Sequence, residues 1–254
     1  YICNSNWQNG KSSTEILRFA CSDGQITAGA VCELPGYLND TFSLDEYEGY
    51  LRVVLTEDDD RESNSLYILD ENMQMTGAIR DLADGETIRS ARFMGEMAYF
   101  VTFRQTDPLF CADLSNPKDP QILSELKLTG FSAYLHPYGD HLLLGVGYEA
   151  DEETGNQTGV KLSMFDISDP LQIKEVDKYV IKDAYYLPAD YDYKAILADG
   201  EKNLIGFTCD EEYMVFSYDE ENGFQNLLTY TMSDWAYWDG DAQCRGVYAG
   251  DRFY

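Results

Sequence analysis

Cations are what this sequence has least of. Its 254 residues carry 18 Lys and Arg against 46 Asp and Glu, a formal net charge of −28. A field of that sign repels the nucleic-acid backbone and anionic lipid, so both are poor partners and no nucleic acid is expected to bind. Acidic excess keeps a protein dispersed, and it also suits a cation or a basic partner. No run of 18 apolar residues occurs, so no membrane insertion by this segment is expected. Histidine stands only at 136 and 141, a spacing of five that is not a metal pattern, and H-E-x-x-H is missing. The G-x-S-x-G elbow, the phosphate-binding loop and the dinucleotide fingerprint are missing too. The six cysteines, at 3, 21, 32, 111, 209 and 244, form no C-x-x-C pair, so a zinc ribbon or a thioredoxin-like motif is unsupported. A tight turn at Asp23-Gly24 pairs Cys21 with a residue near 26 rather than with Cys32. Free thiols are therefore the expectation, with disulfides left open. The chain opens on Tyr1 without an initiator Met or signal peptide, and both ends read as parts of strands. It is expected to be cut from something longer.

What is abundant points to one fold class. Aromatics make up 14% of the chain, with 20 Tyr and 12 Phe, and helix-favouring heptads of Ala, Leu, Glu and Lys do not occur. Tyr, Phe, Val and Ile fit half-buried pleated strands, so the chain is all-β. Aspartates that close an apolar strand then mark a repeat: Asp23, Asp70, Asp113, Asp166 and Asp219. An aspartate there can accept backbone N–H bonds two residues on. In Asp113-Leu-Ser-Asn-Pro117 and Asp166-Ile-Ser-Asp-Pro170 the proline also refuses to continue a strand. A period of roughly 40–50 residues with several strands per repeat is the β-propeller signature.

The fullest repeat parses into four strands, 90–95, 97–103, 108–115 and 120–128. The others run 38–48, 50–56, 64–70 and 74–80; 132–138, 140–148, 159–168 and 172–181; and 190–199, 203–209, 211–219 and 223–232. The expected blades are 1–36 (partial), 37–86, 87–129, 130–187, 188–232 and 233–254 (partial). The fold is thus a β-propeller of four-stranded antiparallel blades, four complete and one partial at each end. Met97–Val101 and Leu142–Val146 are apolar on both faces, as strands wedged between neighbouring sheets must be. Gly145 and Gly147 suit a crowded backbone. Residues 57–64 and 149–156 read as polar surface loops.

Residues 88–181 resemble a known family. Phe103-Arg104-Gln105-Thr106-Asp107-Pro108-Leu109-Phe110, the Asp113–Pro117 turn and Gly130-Phe131-Ser132-Ala133-Tyr134-Leu135-His136-Pro137-Tyr138 are similar to bacterial and archaeal secreted proteins with a C-terminal β-propeller distantly related to WD40 repeats. Phe42–Val53 and Lys161–Pro170 fit as well. The similarity spans nearly the whole chain and weakens after about Leu204. It implies an extracellular or cell-surface location and a domain longer than this chain. The family has no established activity, so the resemblance brings no catalytic residue.

The candidate ligand-binding residues are Arg104, Asp107, His136 and Tyr138, all at strand ends, where loops carry binding groups. No cofactor is expected. If a metal binds, it is Ca²⁺, with Asp58, Asp59, Asp60, Asp239 and Asp241 as the carboxylates. The function expected is an extracellular or cell-surface binding or scaffold module with a protein or carbohydrate partner. The alternative is an extracellular hydrolase using carboxylates in the propeller channel.

Overall fold

The computed structural model describes residues 1–104, 107–232, 244–250 and 252–254, with Asp107 by its backbone alone. The chain divides into two compact units, Tyr1–Leu126 and Lys127–Tyr254.

The first unit opens with a three-stranded antiparallel sheet, β1 (Ile2–Gln8), β2 (Lys11–Ser22) and β3 (Gln25–Pro35). A four-stranded sheet follows, ordered β4 (Leu44–Tyr47), β5 (Tyr50–Asp58), β6 (Glu62–Leu69) and β7 (Met75–Leu82). The next is β8 (Thr87–Met94), β9 (Met97–Phe103), β10 (Asp107–Asp113) and β11 (Gln121–Leu128). In the second unit β12 (Phe131–Pro137), β13 (Leu142–Ala150), β14 (Gln157–Asp166) and β15 (Lys174–Lys182) form one such sheet. β16 (Leu197–Asp199), β17 (Leu204–Cys209), β18 (Glu212–Asp219) and β19 (Gly223–Thr231) form another. The pair β20 (Tyr248–Ala249) and β21 (Arg252–Phe253) closes the chain.

Four complete four-stranded antiparallel sheets flanked by partial ones is the architecture expected from the repeats. The second and third strands of each sheet are apolar on both sides because both sides are covered. The sheet β4–β7 shows this: Leu51, Val53, Leu55 and Tyr67 pack with Ile16 and Leu34 of the first sheet. From its other face Val54, Leu66 and Ile68 join Ala98, Phe100 and Phe110 of the third sheet. Phe100 and Phe110 stack at 5.2 Å, and Phe100 is fully buried. Truncating such a ring costs about 3–5 kcal/mol. Of the fourth strands, β15 lies half-open to solvent and β19 mostly exposed.

The aspartate turns form as expected in all four complete sheets. Asp70 accepts from the Asn72 and Gln74 amides, Asp113 from Ser115, Asp166 from Ser168, and Asp219 from Glu221 and Asn222, all at 2.8–3.0 Å. Asp23 differs. With Gly24 it forms a two-residue hairpin turn in the left-handed region, φ 51° and 74°, the backbone twist that tight hairpins favour. That turn places Cys21 opposite Ile26, and Cys32 opposite Ile16. The six cysteines are free thiols.

Two expectations about strand extent are corrected. Residues 57–64 are mostly strand, because pairing continues through Glu57–Ser63 and Asp58–Glu62 and leaves a short turn. Residues 149–156 are the expected loop over 151–156, with only Glu149 and Ala150 drawn into β13. The first strands of two repeats are shorter than read. Asp40 caps a 3-10 turn at Thr41–Ser43, so β4 begins only at Leu44. Pro188 and Asp192 start 3-10 turns at Pro188–Asp190 and Tyr193–Ala195, which cut the expected 190–199 strand to Leu197–Asp199. Side-chain oxygens that bond nearby amides compete with strand pairing.

Candidate functional site

In the first unit, Arg104 is exposed just beyond the end of β9, with its guanidinium beside Gly85. The Asp107 carboxylate lies outside the described residues, as do Asp239 and Asp241. The acidic hairpin is structural: Asp58 Oδ1 accepts from the Ser12 amide at 2.8 Å and from its hydroxyl at 2.5 Å. Next to it Asp59 pairs with Lys11, and Asp60 is exposed. Together Asp58 and Asp59 strap β5 to the start of β2. Among the described residues no three of His, Cys, Asp and Glu come together as a metal group.

This unit also holds an acidic cleft of about 700 Å³, with Tyr1, Asp40, Asp45 and Glu46 in its lining. Each carboxylate there is engaged. Asp40 Oδ1 accepts from the Phe42 and Ser43 amides at 2.8 and 3.1 Å. Its carboxyl is raised above the usual range, because burial outweighs those bonds. Asp45 pairs with Arg52, which is 3% exposed and lies between the rings of Tyr47 and Phe93 at 4.8 and 5.0 Å. Glu46 accepts from the Tyr1 hydroxyl at 2.6 Å. A glycosidase-like acid and base must be free to exchange protons with substrate, and these three are held by the fold.

In the second unit the sheet β12–β15 presents His136. Residues 134 and 136 project from one face of β12. Their rings lie nearly parallel, 5.9 Å apart, with the Tyr134 hydroxyl 2.9 Å from His136 Nδ1. The bulge between Ser132 and Tyr134 sets that face. Gly145 and Gly147 on β13 let the two strands approach: a Cβ on Gly147 would meet the Phe131 carbonyl. His136 and Tyr134 line a cleft of about 530 Å³ completed by Tyr193, Lys194, Arg245 and Tyr248.

The shortened first strand of the next repeat supplies Tyr193 and Lys194. Asp192 Oδ1 accepts from the Lys194 amide at 2.9 Å and fixes that turn. Arg245 Nε donates to the Lys194 carbonyl at 2.6 Å, which joins the β20 segment to the turn. Tyr248 donates to Asp199, and this bond holds the Asp199 carboxyl below the usual range and raises the Tyr248 hydroxyl. Lys202 Nζ sits 4.6 Å from the Tyr248 ring centre.

Tyr138 is buried rather than presented to the cleft. Its hydroxyl donates to Asn203 Oδ1 at 2.7 Å, and burial pushes it up to about 12. It bolts the end of β12 to the β16–β17 turn. His141 faces Glu220 at 3.4 Å. Of the four ligand candidates, His136 alone lies in the described lining of this cleft. Tyr193, Lys194, Arg245 and Tyr248 were not singled out as site residues. Repeat phase could have found them, since each lies on or beside the first strand of a repeat, as His136 does.

Serial four-stranded antiparallel sheets define a β-propeller protein. The chain matches the β-propeller domain family over residues 1–254, and it belongs to that family. It is 42% identical over 198 residues to an uncharacterised protein of Methanocaldococcus jannaschii, covering 76% of this chain and 30% of that protein. An uncharacterised protein of Archaeoglobus fulgidus is also 42% identical, over 205 residues, covering 81% of this chain and 31% of that protein. The chain therefore spans under a third of the length of these relatives. A crystal structure of a Lactobacillus plantarum protein shares the fold with a TM-score of 0.51 at 12% identity, over 91% of this chain and 68% of that one. Among the described residues no helix is long and apolar enough to cross a membrane.

Proposed function

We propose that this chain is an extracellular or cell-surface binding module, and that a surface carbohydrate docks in the cleft around His136. The observation that carries the reading is the cleft itself. Tyr134, His136, Tyr193 and Tyr248 put four rings around about 530 Å³, and rigid rings give contact area at low entropic cost. The sheets behind it are packed on both faces, so the cleft needs little ordering on binding. The resemblance of residues 88–181 to secreted propeller proteins supports the location.

Binding of the purified chain to immobilised carbohydrates tests the reading, alongside capture from cell-surface extracts. Saturable binding that weakens about tenfold in Tyr193→Ala, through loss of one ring contact, is expected. A chain that retains no carbohydrate and no surface partner would overturn it.

A further inference from the structure

The cleft combines aromatic walls with positive charge in a protein that has almost none to spare. Of the 18 Lys and Arg, Lys194 and Arg245 both line it, and with them His136, while no Asp or Glu stands among its described lining residues. The two cations are also held together. Arg245 Nε is fixed on the Lys194 carbonyl at 2.6 Å, which leaves the guanidinium Nη donors with no partner among the described residues. The Lys194 ammonium has no carboxylate partner among the described residues either, and lies 5.7 Å from the Tyr193 ring centre. Four other cations of the described residues are ion-paired: Lys11 with Asp59, Arg52 with Asp45, Arg61 with Asp84 and Lys178 with Glu149. In a field set by 46 acidic residues, two cations that line one cleft with no carboxylate partner among the described residues mark a place that suits a negative group.

From this juxtaposition we infer that the cleft takes a carboxylated saccharide, a chain containing uronic acid units. This deepens the carbohydrate-binding reading above and rests on it. The guanidinium fork of Arg245 matches a carboxylate in two-point geometry, and Lys194 adds a point charge beside it. Tyr134, Tyr193 and Tyr248 supply faces for the C–H surfaces of the sugar rings. The rest of the protein's field repels polyanions, so only a short stretch of ligand whose carboxylate reaches both cations gains from binding. Affinity should therefore depend on ionic strength.

Titration calorimetry decides this with the whole chain and three probes: an oligomer of uronic acid units, the neutral oligomer of the same linkage, and inorganic phosphate alone. The uronate oligomer is expected to bind best. Lys194→Met and Arg245→Gln are each expected to weaken it about tenfold, the worth of one charge-assisted bond. Because Arg245 also pins the turn, Lys194→Met is the cleaner variant, and an unchanged unfolding midpoint shows that it is intact. Equal binding of the neutral oligomer, unaffected by Lys194→Met, overturns the carboxylate inference and leaves the carbohydrate reading standing. Equal binding of phosphate alone overturns the saccharide part. No binding of either oligomer overturns the inference, and the immobilised-carbohydrate assay then decides the broader reading separately.

Discussion

The clefts of the two units use their charges in opposite ways. In the first unit Asp40 caps a turn, Asp45 holds Arg52 and Glu46 holds Tyr1. Charge there is part of the fold. In the second unit the Lys194 amide is held by Asp192 and the Arg245 Nε by the Lys194 carbonyl, while neither charged end has a carboxylate partner among the described residues. Charge there is left over from folding. Charges of both signs hold the first cleft together, whereas the second cleft keeps two cations in its lining. Truncating a committed side chain should therefore cost stability, whereas truncating an uncommitted one should cost binding.

The largest effect should come from Arg52. Its guanidinium bridges Asp45 and the Gly95 carbonyl between two aromatic rings. Arg52→Ala should lower unfolding stability by about 3 kcal/mol in denaturant titration, the lower end for a broken buried pair because Asp45 is partly in water. Asp40 comes next. Asp40→Ala removes the turn's cap and should cost about 1 kcal/mol. Asp40→Asn keeps a capping oxygen and removes the buried charge. The folded-state pKa of Asp40 lies above its ordinary value, so ionisation opposes folding and the wild type loses stability as pH rises through that pKa. Asp40→Asn should therefore match or exceed wild type at pH 7, with the difference vanishing below the ordinary carboxylate range. The smallest effect is expected at Lys194, where Lys194→Met should change stability by no more than about 0.5 kcal/mol. A loss there as large as that of Arg52→Ala would break the comparison.

Much of the fold was legible in the sequence because second and third strands are apolar on both faces, as in Met97–Val101. The turn aspartates also carry their own mechanism, bonding amides two residues on. The first strands were less legible. Asp40 and Asp192 each cap a 3-10 turn with a local side-chain bond, and Pro188 starts one with its fixed φ; these defeat the strand that composition suggests. The hairpin at 57–64 was misjudged for the converse reason: backbone pairing carries on through polar residues once the register is set. At the site, His136 was readable as a rare residue at a strand end. Tyr138 was not, since only packing shows that its hydroxyl is turned to Asn203. Lys194 and Arg245 carry no local pattern. They become a pair only when the first strands of successive repeats come side by side.

Hydrogen exchange with and without the uronate oligomer tests the contrast between the two clefts most directly. Slower exchange at the amides of residues 194–198 and 246–248, with no change at 38–51, is the result predicted. Protection at 38–51 instead, or equal protection in Lys194→Met, would contradict it.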